Sequence, residues 1–178
     1  MQVDFSDFEG NLYDCTVETL AALGVTCKVI FANQGKPDPK GTTLYLNILG
    51  MNQVGQKITG SGFQSITVAG SQGSKFYAVQ YQADIQFTIV GDNAFTVATE
   101  LHTNMKSREG VYSIWYQHSL PILTKSNLRS SPQLMQTKWV DGYSFDVKCN
   151  FIINREYNEY TVGKVSVGYK NETLEIGG

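Results

Sequence analysis

Two long segments of the chain alternate hydrophobic and polar residues with the two-residue period of a β-strand. The first covers residues 76–90 and the second residues 143–153, and Trp139 continues the second alternation upstream of Asp141 and Gly142. One face of each predicted strand is hydrophobic and buried, whereas the other is rich in Gln, Asn, Thr and Ser. That polar face is either exposed to solvent or an assembly surface that uses hydrogen bonds in place of charge.

Two other segments carry hydrophobic residues at helical spacing. In the first, residues 5–23, Ser6 and Glu9 form a candidate capping box, and Gly24 stands where a helix C-cap is expected. Gly10 weakens the first turn and favours a start nearer Asp14. The second helix follows Asp92, a candidate N-cap, covers residues 94–107 and ends before Gly110.

Shorter strands are predicted over residues 25–31, 44–49, 111–117 and 162–169. Residues 120–132 are predicted to be irregular because Pro121 and Pro132 interrupt any element. Residues 50–75 are rich in Gly, Gln and Ser and indicate an exposed loop or hairpin that holds a short strand at 63–68. The predicted fold class is α+β: a mostly antiparallel sheet of long, hairpin-like strands with two helices packed on one face, forming a single domain over residues 1–178.

Composition narrows the class of function. The net charge is −2, the charged fraction is 17%, and the sequence holds no Lys/Arg cluster, so sequence-specific DNA binding is not expected. The amino terminus lacks the pattern of a signal peptide, and no apolar stretch is long enough for a membrane span, so no membrane partner is expected. The three cysteines are widely spaced and predict neither a disulfide framework nor a metal pair.

The sequence offers no catalytic constellation. Its two histidines, His102 and His118, stand in no nucleophile elbow and form no metal-binding pair, and the glycine-rich segments lack the lysine of a phosphate-binding loop. We therefore expect a protein that is not an enzyme, without a cofactor or a metal.

The run of residues 29–41, followed by the strand at 44–49, resembles the phage neck (tail) terminator family. Members share an opening helix, a strand ending near Ala-Asn-Gln, a proline-containing turn and a further strand. Asn33, Gln34, Pro37 and Pro39 stand at the matching positions. The prolines fix φ and favour extended neighbours, so the turn is either a rigid corner between two strands or a contact with a neighbouring subunit.

The resemblance implies a structural virion protein that assembles in the host cytoplasm. It implies a ring, commonly a homo-hexamer, that ends the tail tube, stops its elongation and joins the tail to head-completion proteins. The tail tube protein, neck proteins and a sheath would be partners, and genomic DNA would cross the lumen without specific binding. Candidate ring-stacking contacts are Arg155, Glu156, Tyr157 and Glu159.

Two alternatives remain open from the sequence. The chain could be another virion ring protein, such as a tail-tube or head–tail joining subunit, which would differ in its position in the particle. It could also be a small α+β enzyme or ligand-binding protein, which would need a deep pocket with convergent polar groups.

Overall fold

The computed structural model describes residues 6–32, 41–54, 74–135 and 138–158. The predicted strands at 63–68 and 162–169, and most of the predicted loop at 50–75, lie outside the described residues.

The described chain forms an α+β fold, as predicted. Three helices are α1 (Ser6–Ala22), α2 (Ala94–Ser107) and α3 (Glu109–Gln117). The main sheet contains β1 (Lys28–Phe31), β2 (Thr43–Gln53), β3 (Ser74–Val90), β4 (Ile122–Lys125), β5 (Arg129–Ser130) and β8 (Gly142–Asn158). Strands β6 (Gln133–Met135) and β7 (Lys138–Val140) form a separate two-stranded sheet.

The centre of the main sheet is the antiparallel pair β3–β8. Both strands have 17 residues, and they pair without a register shift from Ser74 opposite Asn158 to Val90 opposite Gly142. At about 3.4 Å per residue, the pair is roughly 55 Å long. The sequence pattern located both strands but ended the second at Ile153, whereas β8 continues to Asn158.

Strand β2 pairs with β3 along its whole length, with a bulge between Ile48 and Gly50. Leu49 is the extra residue and is exposed. An extra residue reverses the alternation, because side chains on a strand change face at every position. The bulge therefore places Met51, opposite Ala83, on the same hydrophobic face as Leu46, opposite Phe87.

The two edges of the sheet differ. The sheet order is β1-β2-β3-β8-β4, and β5 also pairs with β8. Strand β1 runs parallel to β2, the one parallel pairing among the described strands, and two parallel strands cannot be paired as a simple hairpin. Residues 120–132, predicted to be irregular, supply β4 and β5, which lie against the outer side of β8.

All three helices cover one face of this sheet. Leu12 of α1, Leu101 of α2 and Trp115 of α3 belong to one buried cluster with the alternating residues of β3 and β8. In its centre, Phe87 stacks on its cross-strand partner Phe145 with ring centroids 5.2 Å apart, and Trp115 approaches Phe87 at 6.2 Å. Aromatic pairs of this kind contribute about 0.5–1.5 kcal/mol beyond the area they bury.

The predicted end of the first helix is confirmed. Gly24 has a φ of +69°, its amide donates to Ala21 O at 3.0 Å, and the amide of Val25 donates to Leu20 O at 3.0 Å. These two bonds form the Schellman motif, in which glycine takes the left-handed position. The predicted start near Asp14 is wrong, because α1 begins at Ser6 and contains Gly10.

The strand predicted at residues 111–117 is wrong, because this segment is helix α3. Val111 and Trp115, four residues apart, are fully buried, and Tyr112 and Tyr116, also four apart, are exposed. That spacing is helical, but the branched and aromatic residues suggested a strand. The sheet therefore carries three helices on one face, where two were predicted.

Three smaller predictions are also wrong. Asn93, not Asp92, precedes α2, and its side chain makes no capping bond. The predicted bounds of α2, residues 94–107, are confirmed, but Gly110 lies in α3 and does not end α2. Trp139, which extended the alternation of the second long strand, lies in β7 and is exposed.

Gly91 joins β3 to α2 in a backbone conformation that other residues avoid. Its φ is +123°, and a Cβ placed there would lie 2.6 Å from Gly41 O and 2.8 Å from Thr42 Cα. We expect Gly91→Ala to lower the free energy of unfolding by about 1–3 kcal/mol from backbone strain, and further because the contacted atoms are backbone. Chemical denaturation measures this effect.

Gly110→Ala is the matched control. Gly110 is the second residue of α3, and nothing lies within 4 Å of its added Cβ. Alanine is favoured over glycine in helices, by about 0.5–1 kcal/mol in their interior, so this variant should be at least as stable as the wild type. A Gly91→Ala protein as stable as the wild type would contradict the close approach of β3 to Gly41.

Candidate functional site

The turn that carried the family resemblance lies outside the described residues. This applies to Asn33, Gln34, Pro37 and Pro39, so their role stays a prediction. The two ends of the turn are described: the amide of Ala32 donates to Leu46 O at 2.9 Å, and Gly41 has a φ of +84°. Both ends are thus held against the sheet by the parallel pairing of β1 and β2.

The candidate stacking residues extend the central strand pair. The backbones of Arg155, Glu156 and Tyr157 lie in β8, opposite Tyr77, Phe76 and Lys75 of β3. Glu159 lies outside the described residues. These residues therefore belong to the distal end of a paired strand, where the sequence predicted only a polar segment after a strand.

The sheet face opposite the helices is polar, and its charges are matched across strands. Lys148 forms an ion pair of 3.3 Å with its cross-strand partner Asp84. The next cross-strand pair on the same face, two residues along each strand, is Gln86 and Asp146. Asp146 accepts a hydrogen bond of 3.3 Å from Gln86 and one of 2.7 Å from Arg129. These side chains are partly exposed, so each ion pair contributes little to stability, but together they leave this region of the face near neutral.

His102 holds helix α2 against the outer edge of the sheet. Its Nε2 lies 2.8 Å from Ser126 O, and its ring meets Phe145 edge-on at 5.1 Å. A carbonyl oxygen only accepts, so Nε2 carries a hydrogen and donates. Lys125 Nζ donates back to His102 O. Burial, with the neighbouring charge of Lys106, lowers the pKa of Lys125.

His118 joins two helices. It follows α3, and its Nε2 lies 3.0 Å from a carboxylate oxygen of Glu18 in α1. The carboxylate is half exposed, so the contact links the helices at their surface. Both histidines thus direct Nε2 at an oxygen that holds it, an arrangement typical of structural histidines.

The three cysteines are free thiols with suppressed reactivity. Burial raises the pKa of Cys27 to about 11 and the pKa of Cys149 to about 12. Burial also raises the pKa of Cys15 well above its usual range. The thiolate is the nucleophilic form, so these residues are poor nucleophiles near neutral pH.

The most exposed large hydrophobic side chain among the described residues is one that the sequence did not identify as exposed. Trp139 of β7 is 71% exposed, and its cross-strand partner Leu134 of β6 is 58% exposed. Directly opposite residues of an antiparallel pair project from the same side, so the two side chains form one apolar knob. The position of Trp139 in an alternating run suggested a core residue, and nothing in the sequence distinguished it from one.

The described ranges contain no group of three or more His, Cys, Asp or Glu side chains arranged to hold a metal ion. The helices among the described residues do not combine the length and hydrophobicity of a membrane span.

The sequence profile of the phage neck terminator protein family matches residues 6–173, from the first residue of α1 to beyond the end of β8. The chain belongs to this family. The resemblance seen in residues 29–49 is therefore confirmed and extends over nearly the whole sequence. Among curated proteins, no match was found.

Membership of the neck terminator family makes this chain a structural component of a phage virion. The described part of this neck terminator protein presents a near-neutral polar sheet face and the apolar knob of β6 and β7.

The raised pKa values predict thiol behaviour. At pH 8, a thiol with a pKa of about 11 is ionised in roughly one molecule in a thousand, so Cys27 should react slowly with Ellman's reagent. Cys15 and Cys149 should not react until the protein unfolds, after which three thiols should be counted. The slow reaction of the folded protein should disappear in a Cys27→Ser variant, which assigns it to Cys27. Rapid labelling of that variant in its folded state would contradict the burial of the other two thiols.

Proposed function

We propose that this protein is the tail terminator subunit of the phage neck, which assembles into a homo-oligomeric ring, commonly a hexamer in such proteins, on the last ring of the tail tube. The ring stops tube elongation and presents its other surface to head-completion proteins. The observation that carries the proposal is the family match over residues 6–173.

The charge distribution supports a ring through which DNA passes. The net charge of the chain is −2, and the ion pairs Asp84–Lys148 and Asp146–Arg129 match charges on the polar sheet face. A strongly basic wall would retain DNA through its phosphates. A near-neutral protein leaves genomic DNA free to move through the lumen without specific binding.

The histidine and cysteine side chains, which could act in catalysis, support a role without it. His102 and His118 are held by Ser126 O and Glu18, and the cysteine thiols are kept protonated by burial. A cysteine nucleophile needs a thiolate, which burial disfavours. Each group instead holds or fills the structure.

Loss of this protein should disturb tail length. A phage that carries a deletion of the gene should assemble tails of irregular or excessive length, or heads and tails that fail to join, because nothing ends the tube. Electron microscopy of lysates measures tail length and the fraction of joined particles. Particles of normal length and normal joining would contradict the proposal.

Complementation supplies the controls for that experiment. The wild-type gene provided in trans should restore tail length, and so should a His102→Gln, His118→Gln double variant, because glutamine also donates hydrogen bonds. If only the wild type restored tails while the variant folded normally, a catalytic role for a histidine would be indicated. If many copies were found along the tail, the chain would be a tube subunit.

The distal strand pair should contribute to stacking on a neighbouring ring. We expect Arg155→Glu and Glu156→Lys to weaken binding of the purified protein to tail tubes, measured by co-sedimentation, with a change in melting temperature of less than about 4 °C, as for surface substitutions. Lys28→Glu, an exposed charge on the edge strand β1, is the control and should leave binding unchanged. A collapse of the melting temperature would show that these residues belong to the core.

A further inference from the structure

Apolar side chains and charges are distributed unevenly over this molecule. Helix α1 contains Asp7, Glu9, Asp14 and Glu18 and no Lys or Arg. The chain from Leu101 to Val140 contains five cations and a single acidic residue, Glu109; the cations are Lys106, Arg108, Lys125, Arg129 and Lys138. Helix α1 is thus an acidic region and residues 101–140, flanked by Glu100 and Asp141, are a basic region; the two meet where His118 contacts Glu18. Each carries exposed hydrophobic residues.

The basic region includes the knob formed by Leu134 and Trp139. Lys138, next to Trp139 in β7, is exposed. Strands β6 and β7 pair only with each other among the described strands, and they connect β5 to β8. The knob therefore stands between the end of β5 and the start of β8. Tryptophan is enriched among the anchor residues of protein interfaces.

The acidic region presents its own apolar stripe. Tyr13 and Val17, four residues apart on α1, are each 40% exposed and lie on one face of the helix. Asp14 is exposed beside them. Glu18, which contacts His118, lies on a different side of α1, so the stripe faces away from α3. Neither Asp14 nor Lys138 forms an ion pair with another described residue.

The two surfaces are separated along the sheet. Helix α1 places Phe8 on Phe151 of β8, nine residues, or about 30 Å of strand, from Gly142, which the knob precedes. A closed ring requires heterologous contacts, in which one surface of a subunit meets a different surface of the next. Two mutually complementary patches on different parts of the subunit fulfil that requirement.

We propose that the knob of one subunit, Leu134 and Trp139, docks on the Tyr13–Val17 stripe of α1 in the next copy of this chain, with Lys138 facing Asp14. This interface rests on the proposed ring and specifies which surfaces close it. Stable interfaces bury about 1,200–2,000 Å² in total. A tryptophan buries only about 150–250 Å². The knob is therefore the anchor of a larger contact.

The two tryptophans make assembly visible by fluorescence. Trp115 is fully buried, and Trp139 is 71% exposed, so iodide should quench Trp139 alone in the dilute, monomeric protein. When the wild-type protein assembles at higher concentration, Trp139 should become protected and its emission should shift to shorter wavelength. Light scattering on the same samples gives the mass of the assembly.

Substitution tests the anchor. We expect Trp139→Ala to weaken self-association by roughly thirtyfold or more, the effect of losing an interface hot spot. Tyr116→Ala is the matched control, since Tyr116 is 67% exposed but stands two positions before His118, so it faces away from α1. This control should change self-association by less than about threefold, as expected outside hot spots.

A charge exchange tests the docking geometry. Lys138→Glu and Asp14→Lys should each weaken assembly, and the double variant should restore at least part of it, because the pair is then reversed and not removed. Asp14 lies in the interior of α1, where lysine is a better helix former than aspartate, so the substitution should not unfold the helix.

Four results would overturn the interface. The first is a Trp139→Ala variant that self-associates as strongly as the wild type, and the second is a Tyr116→Ala variant whose self-association falls as much as that of Trp139→Ala. The third is assembled protein in which iodide still quenches Trp139. The fourth is a wild-type chain that stays monomeric at every concentration. The tail-length experiment distinguishes this failure from failure of the proposed function. A Trp139→Ala protein that assembles normally and restores tail length removes this interface and leaves the terminator role intact.

Discussion

The uninterrupted pairing of β3 with β8 is the constraint on which the rest of the structure depends. Seventeen residues of each strand pair in one register, and every other described strand of the main sheet is added to this pair. Because side chains alternate between faces, this register fixes which residues meet the helices and which form the polar face. A slip of one position would exchange Phe87 and Phe145 with Gln86 and Asp146 and lose the core.

The same register accounts for the electrostatics of the polar face. It places Asp84 opposite Lys148 and Gln86 opposite Asp146, and β5 then brings Arg129 to the same carboxylate. A face that neutralises its own charges binds neither DNA nor a highly charged partner strongly. This property agrees with the role of a neck terminator, whose family the chain belongs to.

The proposed contacts between copies of the chain involve features outside the central pair. Between β5 and β8 the chain forms the small β6–β7 sheet, which carries Trp139, and the exposed face of α1 carries Tyr13, Val17 and Asp14. These side chains are exposed, so they can be altered without removing the core. In this view the rigid sheet and helices form the scaffold, and the appended hairpin and outer helix surface determine how copies associate.

The sequence by itself determined the two long strands, the first and second helices, the α+β class and the family, because strict alternation and helical spacing are local patterns. It could not determine that residues 111–117 are helical, since Tyr112, Trp115 and Tyr116 suit a strand until Trp115 is seen packing near Phe87. Nor could it distinguish Trp139 from a core residue, because alternation predicts two faces and does not say which one is covered. Parallel pairing of β1 with β2, the bulge at Leu49 and the exposure of the knob were decided by the tertiary structure, which alone specifies which surfaces of distant segments meet.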